Sequence, residues 1–415
     1  MEQCVDGEVG TPDAGSGHGH GREVPPPRTA PVPVVGHVEE RGFHDGRIDV
    51  GGGGYDAQGA QHRGMVVAAQ VGLGGDRGVH TGVLVGRYQT VLDLLPLLVA
   101  TPPDLLLLST ATAPLGWHLT EATGTPSLGV YLQPTAPTGD FPPVVTGSRS
   151  LGRLANRATG RSALRMADRV YEQAVAKLRH RLQLPPASPS GMRRRQEQAN
   201  WPILHGFSTA LVPRPSDWRS GLDVVGTWWP HHDATGRLPT DLEDFLRAGP
   251  RPVLIGFGSM ASGDGERLSE IAVRALRRAG LRGILQAGSA GLAADGDDVL
   301  TIGDVPHALL FPRLAAVVHH GGAGTSAAAL RAGVPAVTVP VTADQPFWAG
   351  RLAAIGAATD PIPFRSLTAE RLADSLHQVV KQQAHSRAAA KAAQHLVTEN
   401  GAGQALKAIQ QLTGG

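Results

Sequence analysis

Three loops in the second half of the sequence place glycine, hydroxyl, imidazole and carboxamide groups directly after apolar, strand-like runs. The first loop is GFGSM at 256–260, the second is HHGGAGTS at 319–326, and the third is TADQPFW at 342–348. In a parallel sheet, ligands bind beyond the carboxyl ends of the strands, where such loops lead into helices. The pattern therefore predicts that the three loops lie side by side and form one binding site.

The second loop is typical of an anion site. Glycines let the backbone approach a ligand closely, and free N–H groups at the start of a helix, with the helix dipole, favour negative charge. The sequence has no GxxxxGK[ST] and no GxGxxG with an acidic residue about twenty positions later, so it indicates neither a P-loop nor a nicotinamide site. Hydroxyl and imidazole donors beside these glycines suit a diphosphate. The candidate ligands are Ser259, His320, Gly322, Ala323, Gly324 and Thr325.

The third loop adds Asp344 and Gln345, a carboxylate and an amide that can accept from and donate to sugar hydroxyls beside a diphosphate. Each loop taken alone also has a purely structural interpretation. GFGSM is then a turn, His319 and His320 are strand-end histidines bonded to the backbone, and Asp344 is a helix N-cap. The occurrence of all three loops at consecutive strand ends favours a binding site.

The elements that must position these loops follow from the alternation of strand-like and helical patterns from Val83 onward. This alternation is typical of βαβ units and parallel sheets, so we predict an α/β fold with two Rossmann-like domains, the N-terminal one incomplete. Residues 149–183 predict one or two amphipathic helices, and 367–383 and 386–412 predict two closing helices. The predicted divisions are an atypical segment at 1–80, an N-terminal domain at 81–229, a linker at 230–250, a C-terminal domain at 251–385 and a C-terminal helix at 386–415.

Composition excludes several classes of protein. The chain has 415 residues, 38 Lys+Arg against 36 Asp+Glu and a single cysteine, Cys4. One cysteine rules out an internal disulfide framework, and the near balance of charge argues against a dedicated nucleic-acid binder. The longest apolar stretch, LLPLLVATPPDLLLL, is broken by Pro96, Pro102 and Pro103, so we expect no membrane-spanning helix.

The first eighty residues differ from the rest of the chain. They contain 19 Gly, 6 His and one Leu, Leu73, and such a segment buries too little apolar surface to offset its chain entropy. We interpret it as a disordered extension or, as a sharper hypothesis, as a high-GC DNA segment translated in the wrong frame. Its histidines match no metal-ligand spacing, so no metal site is expected. The start MEQCVDGEVG lacks the features of a secretory signal, so we expect the chain to be cytoplasmic.

The stretch VPHALLFPRLAAVVHHGGAGTSAAALRAGVPAVTVPVTADQPFWAGRLAAIGAA resembles the donor-binding motif of nucleotide-sugar glycosyltransferases with the GT-B fold. It is most similar to the branch of sterol glucosyltransferases and bacterial natural-product glycosyltransferases. RPVLIGFGSM, WHLTEATGTPSL, TAPTGDFPPV and ILHGFSTALVPRP are also similar to that family, so the resemblance covers roughly residues 85–410. It makes 81–229 an acceptor-binding domain and 251–385 a donor domain.

The resemblance also implies roles for single residues. His320, the loop Gly322–Thr325 and Ser259 would hold the diphosphate. Asp344 and Gln345 would bind the donor hexose. The backbone at Val305 would contact the uracil or thymine base. The donor would be a UDP- or TDP-sugar, and the acceptor a lipophilic hydroxyl compound, which allows peripheral contact with a membrane. Transfer would invert the sugar and need no metal.

The general base is left unassigned. In relatives a strand and a loop of the type GSRGDVQP open the chain and help to form the cleft, whereas residues 1–80 contain neither, and GLGGDRGVH at 72–80 is the nearest string. His118 either faces the cleft or packs in the N-terminal domain. The tryptophans considered as acceptor platforms are more typical of core or domain-interface positions; they are Trp117, Trp228, Trp229 and Trp348.

Two alternatives to an active transferase remain. The first is a nucleotide-sugar-binding protein without turnover, because the N-terminal βα units are missing or miscoded. The second is another two-domain nucleotide-sugar enzyme, such as an epimerase, against which the Asp344-Gln345 pair followed by PFW argues.

Overall fold

The structure is a computed structural model. The part of the chain that it describes contains two large sheets and a short two-stranded sheet. The described residues are 103–229, 236–258, 264–294 and 296–414, together with the backbone of four strands between residues 47 and 84. All of them lie in one compact unit, Val35–Gly415. No helix among these described residues is both long enough and apolar enough to cross a membrane.

The N-terminal sheet has six strands in the order β3-β4-β5-β6-β7-β8, and only the β3–β4 pair is antiparallel. A separate antiparallel pair, β1 with β2, precedes it. The strand bounds are β1 Arg47–Ile48, β2 Tyr55–Asp56, β3 Ala69–Leu73, β4 Val79–Leu84, β5 Leu105–Leu108, β6 Ser127–Tyr131, β7 Ile203–His205 and β8 Leu222–Val224.

Strands β1 to β3 and the start of β4 lie inside the segment 1–80, where the sequence analysis indicates no strand. A ladder is built from backbone N–H and C=O groups, so strand pairing does not require an alternating apolar pattern in the sequence. The strand and helix alternation predicted from Val83 onward is confirmed in this sheet, where the four leucines of β5 are buried or nearly so, as expected of a parallel strand covered on both faces.

Three helices belong to the N-terminal part: α1 Ala113–Thr123, α2 Arg153–Arg181 and α3 Pro189–Gln198. Helix α1 ends at Gly124, which takes the left-handed conformation with φ of 70°. The predicted one or two helices over 149–183 are a single helix of 29 residues, α2. A 3-10 turn, Val144–Thr146, lies between α1 and α2.

The C-terminal sheet is fully parallel, in the order β11-β10-β9-β12-β13. Its strands are β9 Val253–Gly256, β10 Gly283–Gln286, β11 Val299–Ile302, β12 Ala316–His319 and β13 Ala336–Thr338. The accompanying helices are α4 Thr240–Arg247, α5 Gly265–Ala279, α6 His307–Leu310, α7 Ala323–Arg331, α8 Gln345–Ala354, α9 Ala369–Lys381, α10 Gln383–Leu396 and α11 Gly401–Thr413. Short 3-10 turns cover Phe311–Arg313 and Phe364–Ser366.

The segment predicted as a linker, 230–250, contains helix α4. Leu242 and Leu246 of this helix are buried in one cluster with Leu254 of β9, so α4 packs as part of the C-terminal core. Residues 230–235 lie outside the described residues. The domain divisions themselves stay a prediction.

The predicted helix over 386–412 is two helices, because Asn400 caps a new start: its side chain accepts from the N–H of Gly403 at 2.9 Å. The second of them, α11, returns to the N-terminal sheet, where Ala405, Ala408 and Ile409 pack on buried leucines of β5, β6 and β7. Glu399, just before α11, accepts from the backbone N–H of Thr209 at 2.9 Å. The end of the chain thereby ties the two sheets together.

Candidate active site

The carboxyl ends of β9, β12 and β13 lie next to one another in the C-terminal sheet. Each strand is followed by one of the three loops that the sequence singled out, so the prediction that these loops lie side by side is confirmed. The loop after β11 lies at the same edge, two strands away from β9. The site is therefore assembled by strand order, from segments up to ninety residues apart in the sequence.

The loop after β12 turns directly into the N-terminus of α7. Gly322 holds the N-cap position with extended backbone, and no side chain caps the helix. The first-turn N–H groups of Ala323, Gly324 and Thr325 make no hydrogen bond to another described residue, whereas the N–H of Ser326 already bonds to the carbonyl of Gly322 at 2.9 Å. An uncapped helix start of this kind favours an anion.

His320 is held between two glycines. A Cβ added to Gly322 would lie 2.4 Å from His320 Nε2, and one added to Gly258 would lie 2.9 Å from His320 Cε1. Both glycines are thus needed to house the imidazole ring, which is buried. Because Gly258 follows β9, this contact joins the first loop to the second. Ser259, the predicted neighbour of His320, lies outside the described residues.

His319 has a different role from its neighbour. Its Nδ1 accepts from the N–H of Gly321 at 3.0 Å, which fixes the turn after β12. Burial lowers the pKa of His319 to about 3, with further lowering from His320 and His307, so the ring is neutral. The structural interpretation of the histidine pair, bonding to the backbone, therefore applies to His319.

Gly321 brings the second loop against the third. Its φ is +83°, and a Cβ there would lie 3.0 Å from the carbonyl oxygen of Gln345 and 3.5 Å from Ala349 Cβ. A left-handed conformation with so close an approach suits glycine alone. The start of α8 consequently lies beside the start of α7.

Gln345 is buried and uses its side-chain oxygen on its own loop. Oε1 accepts from the N–H groups of Val341 at 2.8 Å and Thr342 at 3.1 Å. Nε2 has no partner among the described residues, so a ligand can meet Gln345 only as a donor. The carboxamide thus shapes the loop and still leaves one group for a hydroxyl oxygen.

Asp344 occupies the N-cap position of α8, but its side chain makes no capping bond. Oδ2 instead accepts from Trp348 Nε1 at 2.9 Å and from Gln133 Nε2 at 3.2 Å. The N-cap interpretation therefore does not describe this carboxylate. Oδ1 has no hydrogen bond to another described residue and remains available to a ligand.

Val305 lies in the loop between β11 and α6. Its side chain is half-buried and packs on the cluster beneath β9 and β11. Its backbone N–H and C=O make no hydrogen bond within the described part of the chain. The loop is anchored beside it, because Asp304 Oδ1 accepts from Gln286 Nε2 at 3.1 Å. The backbone at Val305 thus has the free polar groups that recognition of a base would use.

Gln133 is a site residue that the sequence analysis missed. It follows β6 of the N-terminal sheet, and its Oε1 accepts from Thr110 Oγ1 at 3.2 Å while its Nε2 donates to Asp344. The one sequence feature that could have identified Gln133 is its position just after a strand of the first sheet.

His118 does not reach this site. It is fully buried between α1 and α2, where its Nδ1 bonds with Nη1 of Arg179 at 2.8 Å. Burial, and next the Arg179 charge, lower the pKa of His118 to about 4. Its packing interpretation therefore describes it. Trp348 is likewise a core residue, packed against Phe207 with ring centroids 5.5 Å apart.

Comparisons with known proteins agree on one group of enzymes. A family model described as erythromycin biosynthesis protein CIII-like, C-terminal domain, matches residues 285–411. O-mycaminosyltylonolide 6-deoxyallosyltransferase of Streptomyces fradiae is 39% identical over 301 residues, which cover 71% of this chain and 70% of that protein. A sterol 3-beta-glucosyltransferase of Arabidopsis thaliana is 34% identical over 301 residues, covering 70% of this chain but 46% of that protein. The chain thus spans just under half the length of this second relative.

The fold has solved counterparts. The crystal structure of the kitacinnamycin glycosyltransferase superposes with a TM-score of 0.60, covering 78% of this chain and 80% of that chain at 19% identity. At this level of identity the likeness concerns the fold, two α/β domains built on parallel sheets.

Proposed function

We propose that this chain transfers a hexose to a lipophilic hydroxyl acceptor. The chain belongs to the nucleotide-sugar glycosyltransferases with the GT-B fold, and within them to the branch of sterol and bacterial natural-product glycosyltransferases. The donor is a UDP- or TDP-sugar, with glucose as the expected hexose. The acceptor is a sterol, a lipid or a natural product. The observation that carries the proposal is the seat of His320 between Gly258 and Gly322, at the uncapped start of α7.

The diphosphate binds at this helix start. The first-turn N–H groups of α7 and the His320 ring donate to its oxygens, and the positive end of the helix dipole favours its charge. These groups matter most when the glycosidic bond breaks, because negative charge then grows on the leaving diphosphate. Transfer on this basis needs no bound metal.

The hexose lies next to the diphosphate, against the third loop. Asp344 Oδ1 accepts from a sugar hydroxyl, while Gln345 Nε2 donates to a hydroxyl oxygen. The uracil or thymine base forms hydrogen bonds with the backbone N–H and C=O of Val305. In this arrangement the anomeric carbon faces the N-terminal sheet, and an acceptor hydroxyl attacks from the side opposite the diphosphate, which inverts the configuration.

The proton of the acceptor hydroxyl passes to a general base in the N-terminal domain, to which we assign no residue. A GSRGDVQP-like loop is not found in residues 1–80. This observation supports a second candidate, a protein that binds nucleotide sugars without turning them over.

Titration calorimetry with UDP and with TDP tests the donor site. Binding of either nucleotide, with thermal stabilisation, supports both candidates, whereas no heat and no stabilisation would overturn the donor site itself. Hydrolysis and transfer assays with UDP-glucose then separate the candidates, because only the transferase releases UDP.

A further inference from the structure

The solvent side of α2 carries arginines and large apolar side chains together. Leu154, Met166 and Val170 are 83%, 58% and 73% exposed. Arg161, Arg165 and Arg169 are exposed as well. We call this surface, which spans about half of the helix circumference, the basic–apolar face; its residues are Leu154, Arg161, Arg165, Met166, Arg169 and Val170.

The spacing of the arginines explains which of them form ion pairs. An arginine recurs every fourth residue from 149 to 169, and each step of four turns the helix by about 40° beyond a full circle. Arg153 and Arg157 consequently turn towards Asp140 and Asp217 and pair with them. The next three arginines, 161, 165 and 169, have rotated to the open side and form no ion pair within the described residues.

The charge of this face is positive. Of the acidic residues on α2, Asp168 is neutralised by Arg193 at 2.8 Å, and Glu172 is the other. This side of the helix therefore carries three guanidinium groups that form no ion pair within the described residues and one exposed carboxylate. A face of this kind complements an anionic surface, and its protruding Leu, Met and Val side chains complement an apolar one.

The same helix contacts the loop after β5. Tyr171, next to Val170, donates its hydroxyl to the carbonyl of Ala111 at 2.7 Å, just beyond the end of β5. The adjacent Thr110 bonds to Gln133, which bonds to Asp344. Val170 of the basic–apolar face is thus next in sequence to a residue that contacts the loop after β5, and that loop is connected through Gln133 to Asp344.

We propose that the basic–apolar face of α2 docks on the surface of a membrane that contains anionic lipids. The arginines pair with lipid phosphates and carboxylates, while Leu154, Met166 and Val170 enter the boundary between headgroups and acyl chains. The lipophilic acceptor then reaches the cleft from the bilayer. This last step rests on the proposed function, whereas docking itself does not.

Flotation of the full chain with vesicles tests the docking. Vesicles of equimolar phosphatidylcholine and phosphatidylserine are expected to carry the protein, and vesicles of phosphatidylcholine alone are not. Replacing Arg161, Arg165 and Arg169 by Gln should lower the partition coefficient about a hundredfold, since each basic residue near such a surface contributes separately. Salt should weaken the binding of the unmodified chain.

The matched control removes the same charge elsewhere: Arg274, Arg277 and Arg278, exposed on α5 of the C-terminal part, are replaced by Gln. This control should keep nearly all vesicle binding. Equal losses in the two triple variants would show a general charge effect and overturn the proposal, as would the absence of binding to anionic vesicles. If the basic–apolar face binds an acidic protein and does not bind lipid vesicles, the proposal is overturned as well.

A reporter at Leu154 measures insertion. Because the chain already has six tryptophans, the signal is the difference between Leu154→Trp and the unmodified chain. This difference should shift to shorter wavelength on anionic vesicles and be quenched by brominated acyl chains, and an unchanged difference spectrum would contradict insertion. UDP calorimetry of the unmodified chain, beside its flotation, separates the two proposals. UDP binding by a chain that does not bind anionic vesicles overturns only the docking surface, and vesicle binding by a chain that does not bind UDP overturns only the donor site.

Discussion

Gln133 Nε2 donates to Asp344 Oδ2 across 3.2 Å, which connects the end of β6 in one sheet to the start of α8 in the other. Trp348 donates to the same oxygen at 2.9 Å. The two donors fix the carboxylate so that Oδ1 is left for a ligand. The orientation of a residue proposed to hold the donor sugar is therefore set by a residue that follows a strand of the N-terminal sheet.

Replacing Gln133 with Ala should lower kcat/KM for a UDP-hexose about tenfold, the expected loss for one hydrogen bond to a charged group. The affinity for free UDP should not change, because Asp344 is proposed to contact the hexose and not the diphosphate. Steady-state kinetics and UDP calorimetry measure the two effects. Gln378→Ala, on the exposed side of α9, is the matched control. A loss of UDP affinity in Gln133→Ala would contradict the assignment.

His320 and Asp344 should fail in different ways. His320→Ala removes a donor to the diphosphate and should weaken free UDP by about tenfold to a hundredfold, as expected for a hydrogen bond to a charged group. Asp344→Ala should leave UDP binding nearly intact and reduce the use of the UDP-hexose. Calorimetry with UDP, beside kinetics with the UDP-hexose, distinguishes the two. Equal losses of UDP affinity would refute the assigned roles.

Gly322→Ala should imitate His320→Ala without touching the imidazole chemically. The new Cβ would lie 2.4 Å from His320 Nε2, so the ring must move from its place beside Gly258. We expect a drop in UDP affinity of at least about tenfold with the fold retained. Gly303→Ala serves as the control, since a Cβ there meets nothing within 4 Å. Unchanged UDP binding in Gly322→Ala would show that the seat of His320 does not matter.

Much of this site follows from the sequence, because strand order places loop ends and apolar runs reveal strands. The adjacency of the loops after β9, β12 and β13 is of this kind. The division of labour between His319 and His320 is not, because it depends on the turn at Gly321, which sends one ring into the core and the other towards the helix start. The sequence names His320 as the candidate ligand, but nothing local in it shows the bond that holds His319.

Gln133 illustrates the other limit. Its partner Asp344 is 211 residues away, and their contact depends on how two separate sheets face each other. No local period encodes such a relationship. The role of the Gln345 oxygen was equally hidden, because bonding to the N–H groups of Val341 and Thr342 requires the loop to fold back on itself.

The pH dependence of stability should reflect three buried histidines. Burial lowers the pKa values of His118 and His205 to about 4 and of His319 to about 3, from 6.5 in the unfolded chain. As the pH falls below 6.5, the unfolded chain takes up protons that the folded chain refuses, so the free energy of unfolding falls. The decline should continue to about pH 4, where His118 and His205 begin to protonate in the fold.

Urea denaturation between pH 7 and pH 4.5 measures this decline, whose slope corresponds to at most about three protons. His118→Gln should remove one proton from the slope while costing stability at pH 7, because Arg179 loses a partner. His180→Gln, at an exposed position of α2, is the control and should keep the full slope. A free energy of unfolding that is flat over this range would contradict the buried, neutral state of these rings.

The DNA upstream of codon 81 offers a separate test of why residues 1–80 lack a leucine-rich core. We expect one of the other two reading frames to encode an apolar strand followed by a GSRGDVQP-like loop. A chain carrying that frame should release UDP from UDP-glucose faster than the present sequence does, because the loop helps to build the cleft in which the general base is expected. Equal UDP binding by both chains is the control, since the residues proposed to hold the nucleotide all lie beyond residue 250. If neither frame encodes such a strand and loop, the frame hypothesis is wrong, and the general base must be sought among residues 103–229.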